Sequence, residues 1–497
     1  MAYKLGRIAA AFMVSAVAGH AMAQEVTVVL AEELDNVDPC EASRSNIGRV
    51  ILQNVSETLT ELVPGTGVEP RLATSWEETE KGTWRFHLRE GVKFSDGTAF
   101  DAEDVAHSIA RMTNPDLICE IGNKYFGGIE LKTNVVDENT IDITPDPVQP
   151  IMPLLASTIT IAPSEAPMDA YVDVPIGTGP YVWDEYVRGQ RIKLSANPDY
   201  WGEAPSVTGA TYLFRSDASV RAAMVKTGEA DIAPNIALQD ATTDMDFSYP
   251  NSETVYMRLD HSIPPLDDVR VRQALNYAVD KEAFLGTILA DGTIIAKGIT
   301  PPSTIGYNDE VEPYPFDLEK AKALLAEAKA DGVPVDTKIT VVGRIGNFSA
   351  VQETMEALLS MWQDAGFNIE LQMQEVGDWV EHLVRPFAED RGPEIVQAMH
   401  DNANGDPVFS MFFKYDCEGA QSATCDEKLD TMIEEATALS GDERAAKWSE
   451  TFAYTHEIAA DVMLWHMVGF SRVNPRLDFE PTIKTNSELQ LGQIKFN

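Results

Sequence analysis

Four cysteines, eight histidines and 79 acidic side chains are the groups through which this 497-residue chain could do chemistry. Their spacing builds no known catalytic pattern. There is no Gly-x-Ser-x-Gly elbow, no His-Glu-x-x-His, no Walker A loop and no Cys-x-x-Cys. The histidines are scattered, and His400 and His466 follow or lie within apolar runs, where a satisfied core histidine is the ordinary reading. Acidic residues this numerous leave a carboxylate pair for glycoside hydrolysis open. Gly177 and Gly179 form a lone Gly-x-Gly with no P-loop lysine after it. They are read as turn glycines with φ > 0, not as a phosphate cradle. No catalytic residue, metal or cofactor is assigned.

Charge and targeting narrow the class further. The formal net charge is −41, which excludes nucleic acid, whose phosphates need Lys and Arg. It also argues against docking on anionic lipid, and a solvated acidic surface accounts for it. Residues 1–23 read as a secretory signal: Lys4 and Arg7, an apolar run from Ile8 to Val17, then Ala21-Met22-Ala23 as a cleavage site. Cleavage takes 38 basic residues to 36 against 79 acidic, a net −43. No later stretch approaches the roughly 20 apolar residues of a membrane span, so an exported, soluble product is expected. An even cysteine count then favours disulfides. The short polar loop EGAQSAT predicts that Cys417 pairs with Cys425, leaving Cys40 with Cys119.

The elements that must position any site follow from pattern. The length implies two or three core-bearing units, since single cores stop growing near about 250–300 residues. Trp84, Phe86 and Leu88 alternate as a half-buried strand, and Asp101 caps a helix opening at Ala102-Glu103-Asp104. VTVVL at 26–30 is a strand, and a helix is expected over 47–62, where Ile47, Val50, Ile51, Val55 and Leu59 share a face. A helix at 219–227 ends at Gly228, and residues 253–260 alternate as a strand before Pro264-Pro265. Two β-α units run to about residue 400: TKITVVGR, the helix SAVQETMEALLSMWQDAGF, and NIELQMQEV, followed by the strand EIVQAM. That alternation predicts an α/β layer separate from the first half. One helix across about 427–458 and the strand DVMLWHMVGF close the chain.

Four blocks carry a narrower likeness. They are LATSW with W-x-F-x-L-R-x-G-V-x-F-x-D-G and F-x-A-x-D-V (residues 72–105), GTGPY with ANPDYW (177–201), SVRAAMVKTGEADIAPNI (219–236), and D-x-R-V-R-Q-A-x-N-Y-A-V-D-K (268–281). In this order they resemble family 5 extracellular solute-binding proteins, the dipeptide, oligopeptide and nickel binders of ABC importers.

The resemblance implies an α/β fold of two lobes, a type II (cluster C-like) periplasmic binding protein with a hinge and a ligand cleft between the lobes. A large lobe of 24–258 plus 478–497, with an extra subdomain, and a small lobe of 259–477 are expected. The implied function is capture of a small organic solute, peptide-like or otherwise carboxylate-bearing, and its delivery as a monomer to ABC permease subunits. In such relatives the loop after the first strand brings ligand contacts, which marks Ser43, Arg44 and Ser45. An Asp before an Asp/Glu-Pro pair holds the ligand amine. Counting back from Pro407 puts Ala403 there, with His400, Asp401, Asn402 and Asn404 around it. An Arg after a strand pairs the ligand carboxylate, and Arg344 falls at that place. Trp379 and Phe409 are candidate apolar walls. The alternatives are a secreted hydrolase on a two-domain α/β scaffold and a nickel or metal-chelate binder.

Overall fold

The computed structural model describes residues 24–34, 36–41, 49–63, 67–80, 82–290, 292–348, 350–402, 405–481 and 489–497. The expected signal at 1–23 lies outside them. The apolar runs pair into one mixed sheet, eleven-stranded among the described residues. From one edge it runs Ile369–Gln374, Ile339–Arg344, Glu394–Asp401, Asp246–Leu259, Asp461–Val473, Ile232–Ala233, Glu25–Leu30, Gly209–Phe214, Arg191–Ala196 and Tyr181–Val187, with Ile294–Ile295 beside Asp461–Val473. The two long central strands pair antiparallel from Asp246 opposite Arg472 to Arg258 opposite Asp461. They join a half built from the first 233 residues to a half built from residues 339–401. In the second half, Ile339–Arg344 is parallel to both of its neighbours. Strands covered on both faces read as unbroken apolar runs, and Val341, Val342, Ile395 and Val396 are fully buried.

Helix Val351–Ala365 lays Met355, Leu358 and Trp362 on this half and stops at Gly366, whose φ of 103° is left-handed. A separate four-stranded antiparallel sheet holds Ala73–Glu80, Thr83–Leu88, Thr140–Asp146 and Glu130–Asp137. Against it packs helix Ala102–Met112, which Asp101 and Asp104 close in a reciprocal capping box. One apolar cluster runs from Phe86, Val105 and Ile141 of this layer to Val396, Met411 and Trp448. The backbone at Gly127 and Gly128 lies against the Phe412 ring, so close that a Cβ would sit 2.4 and 2.6 Å from ring atoms.

Three expectations are corrected. The helix expected over 47–62 is described only as Arg49–Asn54 and gives way to strand Thr60–Val63. Asn54 bonds the Val50 and Leu489 carbonyls and the Leu491 amide, while Thr58 and Thr60 hydroxyls bond the Thr60 and Pro153 carbonyls. Side chains that bond backbone in this way compete with helix. The helix at 427–458 is two, Glu427–Thr437 and Gly441–Glu457, because Arg444 takes the Ala436, Thr437 and Leu439 carbonyls at the break. Gly177 and Gly179 do not have positive φ. They are glycine because a Cβ would meet the Val55 carbonyl oxygen at 2.1 and 2.6 Å. Both expected disulfides are present, with Cα separations of 5.0 Å for Cys40–Cys119 and 4.5 Å for Cys417–Cys425.

Candidate ligand-binding site

Parallel strands bring their carboxyl ends to one edge, which is where open α/β sheets take ligands. Arg344 and Gln374 are the last residues of their strands and are register partners. The Arg344 backbone N–H donates to Gln397 Oε1 at 3.2 Å, and its Nη1 donates to Asn347 Oδ1 at 3.3 Å. Helix Val376–Leu383, next after Gln374, supplies Trp379. The Trp379 indole N–H donates to the Gln397 carbonyl at 2.8 Å, and the Arg344 guanidinium stands 5.3 Å from its ring centroid. Arg344 and Trp379 are therefore together, with an aromatic face under the cation. From the other half of the sheet Glu32, just beyond strand Glu25–Leu30, reaches Arg344 Nη2 at 3.5 Å.

Around this arginine four buried side-chain atoms have no hydrogen-bond partner in the protein: Arg344 Nε, Asn347 Nδ2, Gln374 Oε1 and Gln397 Nε2. Buried polar atoms are normally paired, so four of them around one guanidinium make this the candidate binding surface. Asn347, Gln374, Gln397 and Glu32 carry no motif and were not found by sequence reasoning.

The loop after Glu394–Asp401 is tied down from within. His400 is buried and bonds Ser410 Oγ through Nε2 at 2.6 Å. The Ser410 hydroxyl in turn donates to Asn402 Oδ1, and Asn402 Nδ2 donates to the Ile299 carbonyl at 3.1 Å. Burial, more than the neighbouring Lys414, pushes the His400 imidazole well below its ordinary range, so it is neutral. Asp401 ends the strand opposite Glu253. Asp406 is held by Arg444 through two bonds of 2.7 and 2.8 Å, both side chains almost wholly buried. Phe409 lies on helix Val408–Tyr415, without a described side chain. Ser43, Arg44, Ser45, Ala403 and Asn404 lie outside the described residues.

Beneath that helix sits a second polar group. Burial, then Lys124, pushes the Lys414 ammonium down to about 7. Burial pushes Asp461 up to about 7, against bonds from the Tyr415 hydroxyl and the Leu259 amide. These two would be poor ligand anchors, since each is spent inside the protein.

Comparison with known proteins gives the family and the fold. A profile of bacterial extracellular solute-binding proteins, family 5, matches residues 67–421. The dipeptide-binding protein of Escherichia coli (strain K12) is 30% identical over 454 residues, 83% of this chain and 82% of that one. The periplasmic binding protein DppA from Helicobacter pylori, solved with peptide STSA, superposes with a TM-score of 0.84 at 19% identity, covering 95% of this chain and 98% of the other. The binding protein AgaA from A. tumefacien R10, solved with agropinic acid, gives 0.83 at 21% identity, covering 95% and 99%. The fold is thus the two-lobed α/β architecture of periplasmic binding proteins, whose members bind solutes. By the profile match over most of its length and the 30% identical relative, the chain belongs to the family 5 bacterial extracellular solute-binding proteins.

Proposed function

We propose that the protein captures a small carboxylate-bearing solute between its lobes and passes it to the transmembrane subunits of an ABC importer. The observation that carries this is Arg344: a guanidinium at the sheet's carboxyl edge, backed by Trp379, with its Nε buried and unpaired between two unpaired amide donors. A guanidinium presents a planar fork that a carboxylate meets with two parallel bonds. Relatives named for dipeptides, and solved with a peptide or with agropinic acid, agree with such a solute without limiting it to peptides.

The lobes are assigned to 24–258 with 478–497 and to 259–477, hinged on the two long central strands. Ser43, Arg44, Ser45, His400, Asp401, Asn402, Ala403, Asn404 and Phe409 frame the rest of the cleft. Ligand contacts made only in the closed state supply the closing energy, since a ligand binding both states equally shifts nothing. Export through the signal at 1–23 delivers a monomer to the periplasm. The test is a thermal-shift panel of carboxylates, including peptides, against the matching primary amides, followed by calorimetry on Arg344→Ala. The acids should raise the melting temperature and the amides should not, with the effect lost in Arg344→Ala. Equal shifts from amides, or none from any acid, would end the reading.

A further inference from the structure

The polarity of each unpaired amide atom at Arg344 is fixed by its own neighbours. Gln397 Oε1 accepts from the Arg344 N–H, so the free atom of that amide is the Nε2 donor. Asn347 Oδ1 accepts from Arg344 Nη1, so its free atom is the Nδ2 donor. Gln374 is settled one step further out. His382 Nδ1 lies 3.0 and 3.1 Å from the two Glu394 carboxylate oxygens and must offer them its proton. With the imidazole neutral, His382 Nε2 is the acceptor, Gln374 gives it an Nε2–H at 3.3 Å, and the free atom is the Oε1 acceptor. The surface therefore presents three donors and one acceptor.

We infer that the protein selects solutes whose carboxylate carries a hydrogen-bond donor on the adjacent carbon, and that Gln374 is the residue that reads it. This rests on the proposed binding of a carboxylate at Arg344 and specifies it. Two carboxylate oxygens have lone pairs enough for Arg344 Nε, Asn347 Nδ2 and Gln397 Nε2. They have nothing to give Gln374 Oε1. The nearest place a ligand can hold a donor beside its own carboxylate is the α-carbon. A 2-hydroxy acid supplies an O–H there, and an N-substituted amino acid, such as the last residue of a peptide, supplies an N–H. A bare acid would leave the glutamine oxygen buried and unmet, and sites built to bond a polar group reject analogues lacking it.

The experiment uses matched triads on the full mature chain: hexanoate, 2-hydroxyhexanoate and N-acetylnorleucine, then succinate, malate and N-acetylaspartate. Calorimetry on the wild type should give the α-substituted members about tenfold tighter binding than the bare acid of the same skeleton. Gln374→Met should level each triad, since it removes the acceptor that a bare acid leaves unmet, and an unchanged urea midpoint reports an intact fold. Tighter binding by the hydroxy members, the acylamino members or both identifies the source of the donor. Bare acids binding as tightly as their α-substituted partners, or a preference that survives Gln374→Met, would overturn the inference while leaving Arg344 as the carboxylate anchor. If no acid in either triad or in the wider panel binds, the Arg344 reading itself falls, and the inference with it.

Discussion

Glu32 and Arg344 stand 312 positions apart in the chain, yet the Glu32 carboxylate is 3.5 Å from the Arg344 guanidinium. The distance is long for an ion pair, and the Glu32 side chain is 43% exposed against 15% for Arg344. Such pairs are worth about 0.2–1 kcal/mol. A solute carboxylate arriving at Arg344 meets this one already there, and the two repel.

Glu32→Gln should therefore tighten binding of a carboxylate solute, by up to about fivefold if the whole pair energy is released. The gain should shrink as salt is raised, because the competing charge is partly in water. Titration calorimetry at low and at physiological ionic strength checks both. Weaker binding in the variant would show that Glu32 helps hold the solute.

Arg344→Ala should cost about 1.5–3 kcal/mol of binding, the range for hydrogen bonds to a charged group. Arg344→Lys should recover only part of it, since an ammonium cannot make the paired bonds or lie flat against Trp379. Trp379 is buried under the guanidinium, so its fluorescence should report occupancy in the wild type. Calorimetry on both variants supplies the numbers.

Position 403 offers the complementary test. An alanine there supplies no countercharge for a ligand ammonium, and Ala403→Asp should add affinity for amine-bearing acids over their deaminated analogues. Competition between a free dipeptide and its N-acetyl form, measured before and after the change, reads this directly.

Asp406→Ala should destabilise the fold by about 3–5 kcal/mol, because it strands the Arg444 charge in the interior. The Arg444 side chain is 1% exposed, and the break between helices Glu427–Thr437 and Gly441–Glu457 is organised around it. Urea unfolding midpoints at constant m-value give the measure.

Lys414 gives a pH signature. Its folded-state value is pushed down to about 7 from an ordinary 10.5, so between those pH values the unfolded chain binds more protons than the folded one. This group then makes stability rise with pH across about 7 to 10.5. Asp461, pushed up to about 7, works the other way from about 4 to 7, where it makes stability fall as pH rises. Lys124, Arg258 and Glu120 also act on Lys414. The wild-type urea midpoint, referred to Lys414→Met at each pH, should climb between pH 7 and 9. A flat difference would mean that the ammonium is charged and paired in the folded state.

Much of this architecture was legible from local pattern. Strand 339–344, the Gly366 stop and the Asp101 cap rest on signals confined to a few neighbouring residues. Arg344 was singled out because a cation closes an apolar strand at the place where the resemblance puts one, and the strand does end at it. Its companions were not legible. Gln374 meets Arg344 only through strand register, Gln397 only because a third strand joins the same edge, and Glu32 only because the two halves of the sheet face each other. A glutamine on a strand looks the same in sequence whether it faces water or a ligand. The 47–62 helix failed for a related reason: its apolar spacing was helical, but Asn54 and Thr60 bond to backbone brought from residues 489–491 and 153, and Thr58 bonds the Thr60 carbonyl.

The central strand pair bears on how new specificities could arise. Arg258 and Asp461 are register partners, so the chain leaves the central strand pair and returns to it at adjacent points. Every residue gathered at Arg344 except Glu32 lies inside that excursion. Closing a loop costs only slowly more as it lengthens, so an excursion of different content is tolerated where it keeps the strands Glu394–Asp401 and Ile294–Ile295 that pair with the bracketing strands. The recognition surface is in that sense a cassette. It can be exchanged between relatives as one contiguous stretch, with Glu32 a described position outside it that would have to be matched to the newcomer.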